Sequence, residues 1–132
     1  MFRLIPAVAA LSALLVSGAM AQTVSDDVAK QLWCGTALVV AYGSVPSDAD
    51  PALLADVKTY TDAGNALIDQ ATQAHLDAGF TQEAVDKLKA DLVTEITPIV
   101  VDGGDASQAK YTFEDCVAIL PAPADGASSQ AM

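Results

Sequence analysis

An all-α fold is predicted: a small up-down helical bundle of three main helices and a short C-terminal helix, closed by one disulfide. Three observations predict it. Apolar residues recur at helical spacing over three long stretches. Helix-capping residues open each stretch, and Gly or Pro closes it. Two cysteines, Cys34 and Cys116, lie far apart in a chain that begins like an export signal.

The first element begins at the cap Ser25, with Asp26 and Asp27 suited to the positive end of the helix dipole. Val28, Leu32, Gly35 and Val39 step along one face, and Trp33, Cys34, Leu38 and Tyr42 widen it. The run Leu38 to Tyr42 also suits a buried strand, but the periodicity is unbroken from Val28, so helix is preferred. Gly43 ends it, and the turn formers from Gly43 to Asp50 follow.

Asp50 before Pro51 is a cap with proline at the first helical position. Leu53, Val57, Tyr60, Gly64, Leu67, Ala71 and Ala74 then alternate steps of four and three, a seam suited to antiparallel packing. A mid-helix Gly costs about 1 kcal/mol relative to Ala, so Gly64 requires either close packing or a bend. Gly79 stops the helix.

Thr81 caps the third helix, which turns Val85, Leu88, Leu92, Ile96 and Ile99 inward. Pro98 should kink or end it near Thr97. The tight joint between helices two and three predicts that they are antiparallel neighbours. After a loop from Asp102, Thr112 and Asp115 form a capping-box pattern, with Tyr111 and Cys116 at the hydrophobic-staple positions. A last helix is expected from Phe113 to Leu120. The domain would thus span 22–120, and 121–132 reads as a disordered tail, being small, polar and proline-bearing.

Residues 1–21 read as a cleavable signal peptide. Arg3 supplies the positive start, Leu4 to Val16 is apolar, and Ala19-Met20-Ala21 fits the cleavage pattern before Gln22. The apolar run falls short of the roughly 20 residues a spanning helix needs. The expectation is a periplasmic or secreted domain with no stable membrane insertion after cleavage. In an oxidising compartment Cys34 and Cys116 would pair. The closed loop is worth about 4–5 kcal/mol in the chain-entropy model.

Cleavage would also remove the only arginine. It leaves five lysines against 17 acidic residues, a net charge of −12. Such a field repels nucleic acid, and without Arg no bidentate fork is available for phosphate. No nucleic-acid partner is expected.

The candidate sites are few. His75, the only histidine, suits a proton switch, but a lone His near a helix C-terminus is more often a partly exposed partner of the dipole. Asp48 with Asp50, and Asp102 with Asp105, offer oxygen ligands without the spacing of a calcium loop. Solvated turns are the plainer reading. Trp33, Tyr42, Tyr60 and Phe113 fall on three helices and suit either a pocket for an apolar ligand or core packing against the disulfide. No catalytic, metal or cofactor motif is recognisable.

The layout resembles the small single-disulfide helical exported proteins of Gram-negative bacteria, many of unassigned function. Within it, Tyr111-Thr112-Phe113-Glu114-Asp115-Cys116 is similar to the segment that opens a helix in the HdeA family of periplasmic acid-stress chaperones. Phe113 stands where that family has its Cys, and Cys116 comes three residues later. The likeness spans those six residues and transfers no functional residue.

The expected function is that of a non-enzymatic exported accessory or protein-interaction domain, with its protein partner and oligomeric state open. The alternatives are an acid-responsive periplasmic chaperone and a small apolar-ligand carrier. For the chaperone, protonation of most carboxylates near pH 3 would reverse the charge and loosen the bundle.

Overall fold

The computed structural model describes residues 23–101 and 103–121. The proposed signal peptide, with its cleavage point, and residues 122–132 of the proposed tail lie outside the described residues.

Three long helices, α1 (Asp26–Gly43), α2 (Pro51–Asp77) and α3 (Gln82–Val100), are followed by a single 3₁₀ turn (Ala106–Gln108) and the short α4 (Phe113–Val117). Among the described residues there is no strand, so Leu38 to Tyr42 is helical. Each start is set by its cap. Ser25 Oγ accepts the Val28 amide and Asp50 Oδ1 accepts that of Ala52. Thr81 Oγ1 accepts the Ala84 amide. Thr112 and Asp115 complete a reciprocal capping box, each side chain accepting the other's backbone N–H at 3.1 Å. Past α2, Gly79 takes the left-handed conformation (φ 96°) that lets the chain reverse into α3.

Two boundaries differ from expectation. α3 passes through Pro98 and continues to Val100. Proline removes one donor, but only the final residues lie beyond it, and Asp105 N–H donates to the Pro98 carbonyl at 3.3 Å. α4 stops at Val117 instead of Leu120, because the Ile119 and Leu120 N–H groups donate to carbonyls three residues back, those of Cys116 and Val117, and the chain tightens into turns before Pro121.

The packing order also differs. Helices two and three, expected as antiparallel neighbours, touch each other little, and α1 packs along both of them at the centre of the domain. Seven consecutive α1 residues, Leu32 to Leu38, are buried, so this stretch is covered on every side. Thr36, the polar member of the run, donates to the Leu32 carbonyl at 2.7 Å and stays satisfied.

α1 and α2 approach each other closely at two glycines. A Cβ on Gly35 would lie 2.6 Å from the Gly64 carbonyl oxygen, and one on Gly64 would lie 2.9 Å from that of Gly35. Two helices meet backbone to backbone there, and only glycine on both sides permits it. Gly64 is thus explained by close packing. Below the crossing, Leu67 and Ala71 are buried, while Leu53 at the start of the predicted seam is exposed.

On its other side α1 is tied to the chain end. Cys34 and Cys116 form the disulfide, with Cα atoms 5.2 Å apart and a sequence separation of 82. Trp33, Ala37, Leu67 and Ile96 complete the buried cluster around it. A five-residue helix cannot sustain itself. The disulfide, the capping box and the seating of Tyr111, Ile119 and Leu120 on this cluster hold α4 in place.

Candidate functional site

The residues described between Ile99 and Cys116 meet α1 at the disulfide and at Tyr111. Beside those contacts lies a half-open groove with a cavity volume of about 750 Å³. Its floor is α1, through Trp33, Ala37, Ala41 and Tyr42. The outer wall is the 3₁₀ turn and the start of α4, including Ala106, Tyr111 and Phe113. Trp33 and Tyr42 are nine positions apart on α1, which makes the floor about 14 Å long.

The sequence-predicted aromatics meet here. The Tyr42 and Tyr60 rings stack at 4.8 Å, and Phe113 stands edge-on to Tyr60 at 5.5 Å. Tyr60 buttresses this end from α2 without lining the groove. At the other end Trp33 packs edge-on against Tyr111 at 5.5 Å. Tyr111 is the member that sequence reasoning took only for a staple. Its place just before a capped helix, two residues from Phe113, was the available signal. Core packing accounts for Trp33, which is 3% exposed, but not for Phe113, which is 49% exposed at the rim.

Among the described residues no charged side chain lines the groove. Burial pushes the Tyr42 hydroxyl above its usual pKa, and nearby Tyr60 and Asp56 act in the same direction, so the phenol stays neutral. The lysines are occupied elsewhere. Lys58 and Lys87 pair with Asp62 and Asp91 one turn along their own helices. Lys89 reaches Asp86. Lys30 and Lys110 sit 5.4 and 5.8 Å from the centre of the Tyr111 ring. The indole Nε1–H of Trp33 is buried without a hydrogen-bond partner.

Asp105 and Asp115 hold the outer wall in shape. Asp105 Oδ1 accepts the Ser107 hydroxyl at 2.5 Å and the Ser107 amide at 3.1 Å. These bonds hold its carboxyl below the usual range. The backbone and hydroxyl of Thr112 do the same for Asp115, with a smaller contribution from Lys30. Hydrogen bonds to the ionised form are the cause in both cases.

The remaining candidates are not brought together. Asp50 is spent as a helix cap, Asp48 is exposed, and Asp102 is outside the described residues. Among the described residues no group of three or more His, Cys, Asp or Glu is placed to hold a metal ion.

His75 corrects the expectation of a partly exposed residue. It is 2% exposed, its Nδ1 donates to the Ala71 carbonyl at 2.6 Å, and its ring meets Phe80 edge-on at 5.0 Å. The α2–α3 joint folds over it, since Phe80 N–H donates to the His75 carbonyl. The small cavity beside it, about 150 Å³, is lined by apolar residues and Lys110, with no hydroxyl or carboxylate.

Searches with the sequence and the structure find no matching family model, curated protein or solved structure. Among the described residues no helix is long and apolar enough to cross a membrane.

Proposed function

We propose that this chain is a non-enzymatic exported accessory domain that works by binding, and that its binding element is the groove along α1. The observation that carries this reading is the groove itself. Its volume of about 750 Å³ falls within the range of small-molecule sites, roughly 300–1,000 Å³. It is walled by aromatic rings, and its described lining carries no charged side chain. Such a concave site favours a small apolar guest over a flat protein surface, so the carrier reading is preferred to a protein-interaction role. The disulfide and the signal-like residues 1–21 support export.

Native mass spectrometry of the protein purified from its own cell envelope tests the function. A retained low-molecular-mass guest is the expected result. A protein that emerges empty but cross-linked to one reproducible partner would replace the carrier with an interaction domain. The same spectra test export, which requires a chain starting at Gln22.

An acid-responsive role is a second reading, favoured by one observation. The outer wall of the groove is shaped by two carboxylates, Asp105 and Asp115. Suppression of client aggregation at about pH 3 but not at pH 7 is the test; most carboxylates are protonated at the lower value.

A further inference from the structure

We infer that the groove takes an aromatic-rich small molecule and prefers a neutral one to an anion of the same shape. The inference rests on the binding reading above and adds the chemical class of the guest.

Two features disfavour an anion. Among the described residues no lysine lines the walls, so an anionic group entering the groove would leave water without meeting a cation, and desolvating an unpaired charge is unfavourable. The domain's own field opposes it at long range, since residues 22–132 hold five lysines and 17 acids. A neutral guest of the same shape meets neither cost.

The preference for aromatic character comes from the spacing of the rings. Trp33 with Tyr111 and Tyr42 with Phe113 face the groove from its two ends. A flat guest in the groove can lie against Tyr42, Tyr111 and Phe113 and against the exposed edge of Trp33, and ring contacts of this kind add to the gain from buried area. The small residues Ala37, Ala41 and Ala106 leave the space between them open.

Phenylnaphthylamine and anilinonaphthalene sulfonate test this directly, because they share one skeleton and differ by a sulfonate. Trp33 is the only tryptophan and lies in the wall, so its fluorescence reports occupancy. The full mature, oxidised domain is titrated with each probe at pH 7. The neutral probe should bind once per chain, quench Trp33, and bind about tenfold or more tighter than the sulfonate, a difference of about 1.4 kcal/mol. Ala41→Phe, which fills the floor, should abolish the quenching. Ala106→Phe, on the exposed wall, gives the same readout should the first variant fail to fold. Equal affinity for the two probes overturns the charge selection and leaves the binding reading standing. Binding that neither quenches Trp33 nor responds to either variant overturns the site. Failure of both probes to bind overturns the inference, while a guest retained in native mass spectra would still uphold the binding reading.

Discussion

The two sides of α1 are built on opposite plans. Towards α2 the helices meet at Gly35 and Gly64, where neither side has room for a methyl group. Towards the chain end, the residues described between Ile99 and Cys116 meet α1 at the disulfide and at Tyr111 and leave a groove of about 750 Å³ beside those contacts. The first side is held by continuous packing, which is dense and local. The second is held at points: one disulfide, one capping box, one carboxylate-stabilised turn and a few seated side chains. The difference teaches that this domain keeps its cavity by replacing packing with tethers on one side only.

Breaking the strongest tether should have the largest effect. Cys34→Ala with Cys116→Ala should lower stability by about 4–5 kcal/mol in the chain-entropy model. Urea denaturation gives the magnitude. Hydrogen exchange gives the location: amides of residues 99–117 should lose protection far more than those at the α1–α2 crossing. A uniform loss would mean that the two sides form one cooperative unit.

Next comes the crossing. Gly35→Ala and Gly64→Ala should each cost about 1–3 kcal/mol, overpacking outweighing the gain in helix propensity. Gly43→Ala is the control, since nothing lies within 4 Å of a Cβ there. It should be neutral or stabilising. Equal melting shifts at all three positions would remove the crossing as the rigid side.

A smaller effect is expected from the cap. Thr112→Ala removes the acceptor for the Asp115 amide and should cost about 1 kcal/mol, confined to α4. Loss of the Trp33–Tyr111 contact in near-UV dichroism, with far-UV helicity kept, would locate it.

The smallest effect is titration. Asp105 and Asp115 have folded-state pKa values below their unfolded ones. Their contribution is therefore complete above the unfolded pKa of about 3.9 and lost as pH falls through the lower folded values. Relief of the net negative charge acts on the whole domain, but the loss of these bonds acts on the outer wall alone. Below about pH 4 Trp33 fluorescence should change while helicity persists. Asp115→Asn should flatten that change. An unaltered profile would detach the wall from its carboxylates.

Much of the local structure was legible because it is written in short-range chemistry. Ser25, Asp50, Thr81 and Thr112 mark their helices through a side-chain oxygen reaching an amide two or three residues away. The pairing of Cys34 with Cys116 was readable as the only disulfide the chain can form. The candidate site was legible in part. Trp33, Tyr42 and Phe113 line the groove and Tyr60 stacks behind Tyr42, but their periodicity does not say whether they fill a core or wall a groove. Tyr111 was overlooked because a staple position explained it fully. His75 was misjudged because proximity to a helix C-terminus says nothing about what folds over it, and Phe80 does.

The sequence by itself determined the helical class, the caps, the covalent tie and the acidity, since each depends on neighbours in the chain or on composition. Only the tertiary structure decided that α1 is the central helix, that Gly35 and Gly64 meet, and that the opposite side stays open. Those outcomes depend on how surfaces far apart in sequence fit together. An apolar stripe specifies that a face be covered, while the shapes of the covering elements decide how closely. Glycine opposite glycine lets two helices touch, and a tethered irregular segment over alanines leaves a space.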